Sequence, residues 1–145
     1  MNIGYRPFAG PLDWAWINHQ VGIKWCEDTD AIMAVDMDTS SILGACIMDN
    51  WTANSVQCHF MITNPMVLKQ KFLECCFEFI FNISGVERIY GLVPANNTKA
   101  IKFNTHLGFT IKARMEEAFE KGVDYILMEL KQKNCLHLPK HEQAA

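Results

Sequence analysis

No two cysteines in this 145-residue chain stand at C-x-x-C spacing, so a zinc framework has no starting point. His106, His137 and His141 show no metal-ligand spacing either and are expected on the surface. No apolar run approaches the roughly 18 residues needed to cross a membrane. The first six residues, Met1 to Arg6, lack the basic-then-apolar pattern of a secretory signal. Net charge is small: 13 basic against 16 acidic residues give −3, which offers nothing to nucleic acid. Repeats and low-complexity stretches are missing as well. Half the residues are hydrophobic and a fifth are charged, which suits a packed core and not a disordered or coiled-coil chain. The expectation is one cytoplasmic domain over residues 1–130 with a flexible polar tail over 131–145, and no metal, membrane or nucleic-acid partner.

Six cysteines invite a disulfide framework, but Cys75 and Cys76 are neighbours within a helical pattern and nothing points to an oxidising compartment. They are expected as small, buried apolar residues. Charge is unevenly spread. Residues 1–64 carry Arg6 and Lys24 against seven acids, a net of −5, whereas residues 65–130 carry eight of each sign. An acidic first half suits a cationic substrate, and Lys69, Lys71, Lys99 and Lys102, at the starts of two predicted helices, suit an anionic one. Ordinary solvated surface is the plain alternative.

Residues 2–8 read as a short strand. Pro11 opens a helix in which Trp14, Ile17, Val21 and Trp25 recur at helical steps, and Gly22 leaves one helix or two short ones open. Ala31–Met37, Ile42–Trp51 and Ser55–Thr63 follow as strands of an antiparallel meander. Val67–Ile83 has helical spacing, with Leu68, Phe72, Cys75, Phe79 and Ile83 on one apolar face and Cys76 and Ile80 beside it. Arg88–Val93 is a buried strand stopped by Pro94. Strand, helix, strand at this length predicts a βαβ crossover, so the strands beginning at Ser55 and Arg88 should be parallel. A further helix, capped by Asn96 or Asn97, ends at Gly108. Thr110–Phe119 and Val123–Leu130 form a long hairpin, with Glu116, Glu117 and Glu120 as a solvated edge. The order βα(α)βββαβαββ is a mixed α/β domain.

Within it, Asn97, Ala100 and Leu107-Gly108-Phe109 stand at fixed spacing after a strand. This segment, Val93 to Phe109, resembles the GNAT superfamily of N-acetyltransferases, and the element order agrees over roughly residues 30–130. Cys58-His59 in the third meander strand and Gly122-Val123-Asp124 opening the last make the chain especially similar to small bacteriophage-encoded members. The resemblance implies acetyl-CoA as co-substrate, its pantetheine wedged where two parallel strands splay, along Met61 and Ile62. It implies a pyrophosphate held at the following helix start, around Val67, Leu68, Lys69, Gln70 and Lys71, with Asn97 a further contact. Two departures accompany it. The family's phosphate loop is rich in glycine, whereas Pro65 to Phe72 has none, and the position of a thiolate-protonating Tyr holds Asn104.

The implied reaction is direct acetyl transfer to a primary amine of a small molecule or a protein. An alkylammonium has a pKa near ~10 and must lose a proton before it attacks, so a base is needed. Strand alternation puts Ser55, Gln57, His59 and Met61 on the more polar face and Val56, Cys58, Phe60 and Ile62 on the other. That makes His59 the candidate base, with a hydrogen-bonded structural histidine as the alternative. It argues against Cys58 as a nucleophile paired with His59. Asn97 is either a helix cap, a cofactor contact or both. Trp14 and Trp25 belong to the core by spacing, and Trp16 and Trp51 are left to line an acceptor pocket or a partner surface. The other reading is a catalytically weak GNAT-fold effector that binds a host protein, as monomer or homodimer.

Overall fold

A computed structural model describes residues 1–20, 25–69 and 71–138. Seven strands form one sheet: β1 (Ile3–Pro7), β2 (Asp30–Asp36), β3 (Ile42–Asp49), β4 (Ser55–Ile62), β5 (Arg88–Pro94), β6 (Thr110–Glu120) and β7 (Val123–Lys131), in the order β1-β2-β3-β4-β5-β7-β6. All neighbours are antiparallel except β4 and β5, which are parallel and joined by a helical crossover. The three-strand meander and the βαβ unit are therefore as the sequence predicts.

The central strands are covered on both faces, which is why β2 and β3 read as runs of buried residues without alternation. On one face, helix α1 (Pro11–Gln20) drops Ile17 onto Ala31, Met33, Val35, Ala45 and Ile47, with Trp14, Trp16 and Trp25 packed around them. Val21 and Gly22 lie outside the described residues, so the choice between one helix and two falls there as well. On the other face, α2 (Phe72–Phe77) and α3 (Thr98–Leu107) cover Cys46, Met48, Val56, Cys58 and Ile89.

Two expectations need correction. The single helix over Val67–Ile83 is instead a 3-10 turn over Pro65–Lys69, then α2, then a wider π-helical segment over Glu78–Ile83. Its buried face is also turned by one position. Phe72, Leu73, Cys76, Phe77, Ile80 and Phe81 are buried in four-residue steps, whereas Ile83 is 69% exposed. Second, the chain stays packed past residue 130. Gln132 N–H donates to the Glu87 carbonyl, and Cys135 and Leu138 rest on the core, so a tail loose from 131 is not observed; residues 139–145 lie outside the described set. Glu116, Glu117 and Glu120 are exposed on the edge strand β6 as expected, and Glu117 has a further role there. It sits at φ 50, and its carboxylate accepts from Gly122 N–H at 2.7 Å across the β6–β7 turn.

Candidate active site

β4 and β5 run side by side for only three residue pairs: Ser55 with Arg88, Val56 with Ile89 and Gln57 with Tyr90. Beyond Gln57, β4 keeps its register with β3 as far as Ile62, and β5 keeps its register with β7 as far as Pro94. Each strand thus follows its outer neighbour and the two part company. The sheet opens a notch at its centre, bounded by Cys58 to Ile62 on one side and Gly91 to Pro94 on the other.

His59 lies at this opening, two residues past the last ladder pair. Burial alternates along β4 at its start, with Val56 and Cys58 buried and Ser55, Gln57 and His59 half-buried, as strand geometry requires. His59 therefore shares the α1 face with Met61 and with Ile47, its partner on β3. Its Nε2 stands 3.5 Å from Asp49 Oδ1, the last residue of β3. Next to Asp49, Asn50 sits at φ 50 and donates from Nδ2 to Gln57 Oε1 at 2.8 Å. Asp49 counts in the sequence reading only as one acid of seven. The signal was available: counting outward from the Thr52–Asn54 turn pairs Asp49 with Gln57, one step from His59.

At the far end of the notch, the loop into α2 closes upon itself. Asn64 accepts from Met66 N–H through Oδ1 at 3.0 Å and from Val67 N–H through its carbonyl at 3.1 Å. The Lys71 backbone hydrogen-bonds the Tyr5 hydroxyl, whose titration burial pushes up and that bond pulls down. Two backbone donors that a glycine-rich loop would leave for phosphate, Met66 and Val67 N–H, are thus already used. Val67 gives its side chain wholly to the core, and Leu68 is 37% exposed. Lys69 and Lys71 are exposed and enter no ion pair among the described residues. They supply positive charge here. Gln70 lies outside the described residues. Met61 and Ile62 are half-buried along the β4 side of the notch.

α3 faces the notch from β5. Asn97 caps it, Oδ1 accepting from Ala100 N–H at 3.1 Å. Asn104 lies over Gly91: a Cβ placed on that glycine would come 3.6 Å from Asn104 Nδ2. The amide also meets Met128 Sδ at 3.8 Å. The helix ends in a Schellman turn, with Gly108 N–H to the Thr105 carbonyl and Phe109 N–H to the Asn104 carbonyl.

With this geometry the chain was compared with known proteins. Residues 37–130, well over half of it, match the family described as acetyltransferase (GNAT) domain. The chain belongs to the GNAT acetyltransferase family. No curated protein matches it. Among solved structures, the spermidine/spermine N-acetyltransferase SpeG from Vibrio cholerae, in complex with manganese ions, superimposes with a TM-score of 0.72 at 15% identity, over 91% of this chain and 94% of that one. A dodecameric form of the same Vibrio cholerae enzyme in an intermediate state gives 0.72 at 15%, over 91% and 95%. At such identity the likeness carries the fold.

Within this GNAT domain the other sequence candidates separate. Trp16 packs on the α1-side cluster, the same side as His59. Trp51 does not join it: after the left-handed Asn50 the chain turns away, and the Trp51 ring stands edge-on to Phe79 at 6.5 Å on the α2 side. Cys58 is 6% exposed on the side opposite His59, where it and Cys76 hydrogen-bond Cys46. Burial pushes the Cys58 and Cys76 thiols well up, so neither is a thiolate nucleophile for His59. His106 is exposed as expected and His137 is half-buried, while His141 lies outside the described residues. Among the described residues no three His, Cys, Asp or Glu side chains are grouped to hold a metal ion.

Proposed function

We propose that this domain transfers an acetyl group from acetyl-CoA directly to a primary amine, with His59 as the base. One observation carries the reading: the β4–β5 ladder stops after Gln57 and Tyr90, and His59 stands at that opening, on the α1 face with its β3 partner Ile47. Bound acetyl-CoA supplies an acyl group activated as a thioester. The chain supplies the rest. Met61 and Ile62 flank the arm, and Lys69 and Lys71 meet the phosphates. His59 takes the ammonium proton, and a strand N–H freed by the splay meets the negative charge that develops on the acyl oxygen. Asn104 orients but cannot protonate a leaving thiolate, since an amide has no acidic proton, so that proton comes from solvent.

The acceptor is an amine on a small molecule or a protein, and the −5 charge of residues 1–64 favours a cationic one. Spermidine is the first acceptor to try, because the structural neighbours are named for it. The setting is the cytoplasm, that of a bacterial host if the likeness to phage-encoded members holds. Calorimetry with acetyl-CoA, followed by mass spectrometry of spermidine and of cytosolic proteins, tests the reading. Binding with an added acetyl group supports it, and no binding at millimolar acetyl-CoA removes it. His59→Ala should then lower kcat by roughly a hundredfold or more and leave acetyl-CoA affinity nearly intact. A second reading, an effector that grips a host protein with little catalysis, is favoured by the self-closed loop at Asn64 and predicts that failure to bind.

A further inference from the structure

We infer that Asp49 is the positioning residue of His59: it fixes which ring nitrogen carries the proton and so which one is open to the substrate amine. This rests on the reading of His59 as the base. A carboxylate only accepts hydrogen bonds, so the ring nitrogen that faces it, Nε2 at 3.5 Å, is the one that holds hydrogen in the neutral imidazole. The lone pair then lies on Nδ1, on the side of the ring away from Asp49. When Nδ1 takes the ammonium proton, the ring becomes a cation beside a carboxylate, and the 3.5 Å contact tightens into an ion pair.

The carboxylate is held for this. Asp49 is 13% exposed and His59 19%, so neither swings freely in water. Asn50, fixed in the left-handed region, approaches the same Oδ1 with Nδ2 at 3.4 Å while it binds Gln57. Ile47 and Met61 close the apolar side. No lysine or arginine among the described residues pairs with Asp49. Of the other carboxylates at this end, Asp28 accepts from Trp51 N–H at 3.3 Å, and Asp30, opposite Met48, accepts from Ala31 N–H at 2.8 Å. Asp49 therefore has the imidazole as its one ion-pair partner among the described residues.

The test combines kinetics with a readout that needs no turnover. In the full chain with nitrogen-15 imidazoles, the neutral His59 ring should carry its proton on Nε2, and Asp49→Asn and Asp49→Ala should lower that fraction measurably. Both variants should lower kcat by roughly ten- to a hundredfold with little change in KM for acetyl-CoA. The Asp49→Ala/His59→Ala double variant should be no slower than His59→Ala alone, because Asp49 acts only through the ring. An unchanged tautomer ratio, or additive losses in the double variant, overturns the proposal. If the wild-type chain binds acetyl-CoA and acetylates nothing, the base assignment falls, and the nitrogen spectra still decide whether Asp49 orders the ring.

Discussion

Arg6 and Asp13 clasp each other at two points, Nη1 to Oδ2 at 2.6 Å and Nη2 to Oδ1 at 2.8 Å, tying β1 to the first turn of α1. Asp13 is 3% exposed and also accepts from Ala9 N–H at 2.8 Å. The Arg6 hydrogen bond, with help from Ala9, outweighs burial and holds the Asp13 carboxyl below the usual carboxylate range. A depressed folded-state value means that the stabilisation is complete above the unfolded value, near ~3.9, and is lost as pH falls through the folded one. Asp13→Ala should therefore cost about 2–3 kcal/mol at neutral pH. The gap in urea midpoint between variant and wild type should narrow below about pH 4. A gap that stays constant into acid would mean that the charge plays no part.

Gly108 carries a second, steric constraint. It sits at φ 107, and a Cβ there would come within 2.5 Å of the Asn134 carbonyl oxygen. Gly108→Ala should lose about 2 kcal/mol or more through strain and through undocking of the segment after β7. Denaturant unfolding reads the loss directly. Gly122, also at positive φ but with open space around it, should lose less on the same substitution.

These two sites bear on what the sequence could and could not convey. The meander and the parallel pair were readable because turns and a strand-helix-strand run of this length are local signals. The Asn97-to-Phe109 helix was readable because its cap and its Gly108 terminator are both coded within the segment. The phase of α2 was not. Its apolar residues are dense enough to fill either face, and the 3-10 entry at Pro65–Lys69 sets the rotation that decides between them. Buried charge was equally hidden. Asp13 and Glu129 are each almost fully buried, and their partners come from other elements. Burial pushes the Glu129 carboxyl up, but the Tyr90 hydroxyl with Arg88, Lys112 and Lys131 brings it below the usual range. His59 is a candidate by its own chemistry, whereas Asp49 becomes one only once β3 and β4 are aligned.

Asn97 separates two roles that one residue can hold. Its Oδ1 already serves the Ala100 N–H, so Asn97→Ala should cost about 1 kcal/mol of stability, and Asn97→Asp, which caps equally well, should cost little. If capping is its whole contribution, Asn97→Asp leaves the acetyl-CoA Kd within about twofold of wild type. A large rise in Kd with an unchanged melting temperature would assign the amide a direct cofactor contact.

The phosphate end of the notch is the sharper case, because backbone and side chains pull apart there. With the Met66 and Val67 N–H groups taken by Asn64, the anion binding proposed for this loop falls to charge, and would rest on the exposed Lys69 and Lys71. Lys69→Glu with Lys71→Glu should weaken acetyl-CoA binding by roughly tenfold or more at low salt, and the difference should shrink as ionic strength rises past ~0.1 M. Exposed as they are, the two changes should move stability by no more than about 0.5 kcal/mol, so any loss of affinity is not a loss of fold. Titration calorimetry at two salt concentrations reads both effects. Affinity that survives the double reversal would shift the phosphates toward Lys99 and Lys102 at the start of α3, and a Lys99→Glu/Lys102→Glu chain would then show the loss instead.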